Sequence, residues 1–240
     1  MVQDAPTPGP ADTPPTRPTY VRDAMVLGAA VGVFGATFGV LASESGLSTA
    51  KACAMSLLVF TGASQFASVS IIGAGGSVVT AVTSALLLAA RNGVYGLALA
   101  PRLRSRGLRR ALGAQLVIDE STAMAVTQDD DRAAEGAFWA TGVSVFVAWN
   151  LGTLFGAIAG NAIGDPQALG LDAAFPAGFV ALIVPQLHEP GRRLAALLGA
   201  GVAAVAIPLT RPGVPVLLAA PAALVALAVL ARSTRTPRAP

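Results

Sequence analysis

Five stretches of this chain carry no charged residue at all, over positions 24–43, 52–90, 136–164, 194–210 and 212–231. About 20 consecutive apolar residues, rising 1.5 Å each along a helix, span a hydrocarbon core of about 30 Å. Blocks of this length exceed what a globular core needs and match what a bilayer demands. They are continuously apolar, rich in Ala, Leu, Val and Gly, and lack the ten-residue alternation of outer-membrane strands, so helices are expected and not a barrel.

Composition agrees. Apolar residues make up 54% of the chain and charged ones 12%, against roughly 25% charged in an ordinary soluble domain. The expected fold is all-α, a polytopic transmembrane helix bundle over residues 20–232. A Pro-rich tail at 1–19 is expected to be disordered and cytoplasmic, and 233–240 to form a basic cytoplasmic tail. Basic residues cluster beside apolar blocks and not on a solvated face, which reads as membrane topology and not as nucleic-acid binding. A single cysteine, Cys53, excludes an intramolecular disulfide and leaves too few sulfur ligands for a structural metal site.

The blocks differ in texture. The first, 24–43, carries Gly28, Gly32, Gly35 and Gly39, and the block 136–164 carries Gly152, Gly156 and Gly160; four-residue spacing of glycine marks close helix packing. Residues 52–77 are interrupted by Ser56, Thr61, Gly62, Ser64, Gln65, Ser68, Ser70 and three further glycines, which predicts a discontinuous or re-entrant segment. A third stretch, 78–101, is helical by length and stops at Pro101, and a fourth runs over 111–128. Residues 173–187 are short for a crossing, and 194–210 with 212–231 form a hairpin turning at Arg211, Pro212 and Gly213.

Arginines 102, 104, 106, 109 and 110 form one basic cluster, Arg192 with Arg193 a second, and Arg232, Arg235 and Arg238 a third. If every block crossed once, the first cluster would lie opposite the others, against the preference of basic loops for the cytoplasm. Re-entry of both 52–77 and 173–187 places all three inside, with Lys51, Arg132, Arg211 and the acidic run Asp129, Asp130 and Asp131 outside. Two interrupted segments in the two halves suggest an inverted repeat.

Chemistry is sparse. Charges inside a bilayer cost about 2.5–3.5 kcal/mol each on insertion scales, so Arg91, Asp119 and Glu120 need partners or water. Neighbours on a helix diverge by about 100°, so one carboxylate can face a cavity while the other pairs elsewhere, with Arg91 as candidate partner. Two readings stand: a proton-coupling or ammonium-binding carboxylate, or a structural ion pair. Thr61, Gly62, Ala63, Ser64 and Gln65 read either as an unwound turn whose freed backbone groups bind a zwitterion or as a tightly packed helix crossing. Arg91 and Asn92 sit deep in the third stretch. The lone His188 has no metal-ligating companions, and no GxxxxGK[ST] loop is present, so neither a catalytic centre, a cofactor site nor an ATPase engine is expected.

The stretches Phe38-Gly39-Val40-Leu41-Ala42 with Gly46-Leu47-Ser48, and Ser56 to Phe66 through Thr61-Gly62-Ala63-Ser64-Gln65, resemble the AzlC family. This is the large subunit of bacterial branched-chain amino acid exporters. Arg91 with Tyr95-Gly96-Leu97-Ala98-Leu99-Ala100-Pro101, Asp119-Glu120-Ser121, and Gly170-Leu171-Asp172 with Phe175-Pro176 are similar to further segments of the family, over roughly 24–190 in all. Ala89, Asn92 and Ile118 depart from its pattern, where Asn, His and Thr would be expected.

The resemblance implies a secondary exporter of leucine, isoleucine, valine or similar amino acids in a bacterial cytoplasmic membrane. It implies proton coupling and a small AzlD-type membrane subunit as partner. Thr61, Gly62, Ser64, Gln65, Arg91 and Asn92 would then serve the substrate, and Asp119 and Glu120 the proton. The competing expectations are an accessory or scaffold subunit without transport of its own, or export of a different small solute.

Overall fold

A computed structural model describes residues 19–162, 180, 183–188 and 190–233 of the chain. Among them the regular structure is wholly helical: α1 (Thr19–Glu44), α2 (Thr49–Val59), α3 (Gly62–Gly73), α4 (Val78–Leu99), α5 (Gly107–Gln115), α6 (Asp119–Val126), α7 (Asp131–Ala162), α8 (Pro190–Ala206) and α9 (Val214–Ser233), with short 3-10 turns at Val184–His188 and Ile207–Leu209. Helices α1, α4 and α7, and α8 with its extension to Leu209, are long and apolar enough to cross a membrane. Large apolar side chains such as Val79, Leu86 and Leu97 on α4 and Phe155 on α7 lie exposed on the outside of the bundle, as a lipid-facing surface requires.

The two glycine-bearing blocks pack against each other. Gly28 lies opposite Ser144, Gly32 opposite Ala148, Gly39 opposite Thr153, and Gly160 opposite Val40 and Ser43. A Cβ on Gly156 would strike the Ala36 carbonyl, so the absence of side chains is what allows the α1 and α7 backbones to approach this closely. The paired numbers rise together, so α1 and α7 run in the same direction.

That register fixes the faces. Tyr20 at the start of α1 touches Gly136 at the start of α7. Arg104 pairs with Asp131 at 3.3 Å, Arg109 pairs with Glu135 at 3.3 Å, and Ser105 donates to Glu135 at 2.8 Å. The beginning of α1, the 102–109 loop and the 129–135 loop therefore share one face. At the other end, Ser45 abuts Gly73, Asn161 donates to Thr49 at 3.0 Å, and the Ser84 hydroxyl donates to the Gly213 carbonyl at 3.4 Å.

Residues 49–73 thus leave a face and return to it, and so do residues 107–126, from the opposite face. The first is the re-entrant segment the sequence predicts. The second corrects the expectation of a crossing at 111–128. That stretch is two helices of 9 and 8 residues, each only about 13 Å long, and neither can span a bilayer. In consequence Asp129, Asp130, Asp131 and Arg132 lie on the same face as the 102–110 arginines, where the sequence reading put them opposite. The block 136–164 crosses in the reverse sense to that expected. Of the segment 173–187, residues 173–179, 181 and 182 lie outside the described residues, and a 3-10 turn begins at Val184.

The order of a re-entrant pair followed by a crossing helix occurs twice: α2, α3 and α4 from one face, then α5, α6 and α7 from the other. This is an inverted arrangement, with 107–126 as the counterpart of 49–73. Helix α2 packs on α7 and α6 on α4, so each broken segment rests on the other unit's crossing helix. Helices α8 and α9 form the expected hairpin, with Gly213 at φ 91° in its turn. A straight helix ending at that turn sets its first residues, with Arg192 and Arg193, at the opposite face. The arginine-rich face is cytoplasmic by the positive-inside preference, and Lys51 and Arg211 are the basic residues of the described chain on the outer face.

Candidate functional site

The break between α2 and α3 is made by Phe60, whose φ of 31° and ψ of 53° put it in the left-handed region at a cost of about 1–2 kcal/mol. Its ring is buried and meets Phe146 edge-on at 4.8 Å between centroids, which holds the turn in place. Thr61 then caps α3 in extended conformation without a side-chain hydrogen bond. The first amides of α3 point into the break, and the ring of Trp149 lies over Gly62, 3.1 Å from where a Cβ would stand. Trp149 also stacks on Phe38 and meets Phe66 edge-on, with centroids 6.0 and 5.9 Å away.

The break between α5 and α6 is held differently. The Ser121 hydroxyl donates to the Leu116 carbonyl at 2.6 Å and accepts from the Ile118 N–H at 3.2 Å, bridging the two half-helices. Arg102 closes the far end of α6 by donating to the carbonyls of Ala125 and Gln128 at 3.1 and 3.0 Å. A cation at a helix C-terminus also satisfies the negative end of its dipole.

The two breaks face one another within the bundle. Gln115, the last residue of α5, donates its side-chain amide to the carbonyls of Leu57 and Leu58, at 2.9 and 3.2 Å. Across the second break, Asp119 at the start of α6 forms a 2.9 Å ion pair with Arg91 of α4, both side chains about two-fifths exposed, 42% and 40%. Tyr95, one turn beyond Arg91, lies beside the same carboxylate. Glu120 is half-buried and forms no ion pair among the described residues.

The structure therefore joins Arg91 to Asp119 and leaves Glu120 outside that ion pair. Gln65 is fully buried with neither amide atom hydrogen-bonded. Thr61 is buried at the cap and Gly62 sits under Trp149. Ser64 is buried and its hydroxyl proton goes to the Ala85 carbonyl at 2.9 Å, tying α3 to α4. Asn92 is half-buried beside Arg91. Sequence reasoning missed Gln115, Tyr95 and Trp149. Tyr95 follows Arg91 by four residues, a spacing that shares a helix face. Among the described residues no cluster of His, Cys, Asp and Glu is suited to a metal ion. Surface depressions of about 330 and 480 Å³ lie on the cytoplasmic side, beside Leu187 and His188 and among Arg104, Asp131 and Glu135, away from this centre.

Crossing helices interleaved with broken helices that enter from opposite faces and carry an ion pair at depth define a polytopic membrane protein with a polar centre. The AzlC protein family matches residues 26–163, which end where α7 ends, and the chain belongs to this family. It is 29% identical over 223 residues to the Escherichia coli inner membrane protein YgaZ, covering 85% of this chain and 89% of that one. A membrane protein of Archaeoglobus fulgidus is 31% identical over 174 residues, covering 71% and 74%. One of Helicobacter pylori J99 is 27% identical over 180 residues, covering 74% and 78%. No solved structure matches the chain.

Proposed function

We propose that this chain is a secondary exporter of branched-chain or related hydrophobic amino acids, coupled to protons, in a bacterial cytoplasmic membrane. The observation that carries the reading is the meeting of two oppositely oriented broken helices beside an ion pair, the arrangement by which secondary transporters hold a small polar solute between two gates. Membership of the AzlC family supports the substrate class, and the likeness to an inner membrane protein supports the location.

In this reading the start of α3, with Gln65 and the amides of Gly62 and Ala63, receives the substrate's carboxylate, which a helix N-terminus favours. Trp149, Phe38 and Phe66 supply an apolar wall for an aliphatic side chain. Asp119 is held by Arg91, and Glu120, without an ion partner, carries the proton. A small AzlD-type subunit completes the transporter.

The test is leucine efflux from cells loaded with a leucine-containing dipeptide, with and without this chain co-expressed with such a subunit. Faster efflux that falls when the proton gradient is collapsed is expected. Unchanged efflux, with the protein verified in the membrane, points to another solute or to an accessory role.

A further inference from the structure

Gln115 stands apart from the residues the transport reading uses, yet its side chain makes the direct hydrogen-bonded contact between the two broken segments. Its position follows from the break at Phe60. In an unbroken helix the carbonyls of Leu57 and Leu58 would accept from Thr61 and Gly62. The left-handed turn carries those amides away, and they make no bond back to α2. Two acceptors at the negative end of a half-helix are thus left without a helical partner. The carboxamide of Gln115 reaches both from the segment that enters through the opposite face.

We propose that Gln115 is a latch between the two re-entrant segments, closing the route between them and setting how often they part. This rests on the transport reading, in which the segments must separate for a solute to pass. Leucine itself is not needed to see the latch. Losing both hydrogen bonds shifts the balance between closed and parted segments by about tenfold, as expected of two neutral bonds. Lysine is of similar reach and keeps N–H donors, whereas methionine matches the length and donates nothing.

The experiment places a single thiol at Ala63, half-buried at the start of α3, in a Cys53→Ala background of the full chain. Its modification by a membrane-impermeant maleimide is timed in right-side-out and inside-out vesicles, for the parent, Gln115→Met and Gln115→Lys. The expected result is labelling about tenfold faster in Gln115→Met from at least one face, with Gln115→Lys no faster than the parent and melting temperatures alike. Equal rates in the Met and Lys variants overturn the latch, whether both match the parent or both rise together, the latter being what general loosening produces. Efflux and labelling are read separately, so a chain that fails to export leucine and still shows the tenfold change loses its proposed substrate and keeps its latch.

Discussion

At the scale of single residues, the two adjacent carboxylates have separate fates because a helix turns about 100° per residue. Asp119 meets Arg91 at 2.9 Å, and Glu120 forms no ion pair among the described residues. Asp119→Asn should therefore lower the amount of folded protein, by leaving the guanidinium unpaired at depth, and exchanging the pair as Arg91→Asp with Asp119→Arg should restore part of it. Glu120→Gln should leave the amount unchanged and abolish proton-driven efflux. Immunoblots of membranes alongside efflux rates check both, and near-parental behaviour of both single variants would remove the coupling role. The ion pair was legible in the sequence because a charge in an apolar block needs an opposite one. Gln115 was not, because nothing local reveals that its partners are carbonyls some 57 residues earlier, freed by a turn at a phenylalanine. Phe60 carried no signal of its left-handed conformation, which is uncommon for a bulky residue and held here by its contact with Phe146.

At the scale of elements, the glycine stripes on α1 and α7 were read separately as packing seams, and each proves to be the other's partner. Gly39→Val should cost about 1–3 kcal/mol, because its side chain would press on the Thr153 carbonyl and the Ala157 amide, backbone that cannot give. Thermal melting of the purified protein measures this, and an unchanged midpoint would refute the seam. Arg102→Ala should loosen the end of α6 by removing two charge-assisted bonds, to the carbonyls of Ala125 in its last turn and Gln128 just beyond it, each worth about 1.5–3 kcal/mol. Faster amide exchange in residues 119–128 is the expected sign. The discontinuity of 52–77 was legible because its polar and glycine positions are too many for a continuous apolar helix. That of 111–128 was not, because the length suited a crossing and its break, at Leu116, Val117 and Ile118, is made of apolar residues. Ser121 holds that break by side-chain bonds to the backbone of Leu116 and Ile118, which no pattern of hydropathy records.

At the scale of the whole molecule, the misplaced 111–128 block had one consequence: the 129–132 loop and α7 were assigned the wrong sense. Arg102, Arg104, Arg106, Arg109 and Arg110 still share a face with Arg192 and Arg193, as the positive-inside preference expects. What the structure adds is the pairing of 49–73 with 107–126 as opposed re-entrant units, an inverted arrangement. Single thiols at Lys51, Ser77, Arg106 and Asp130, all exposed, test it in a Cys53→Ala background. An impermeant maleimide should reach 51 and 77 only from outside the cell and 106 and 130 only from inside. Labelling of 106 and 130 from opposite sides would mean that 107–126 crosses the membrane, and would contradict the inverted arrangement.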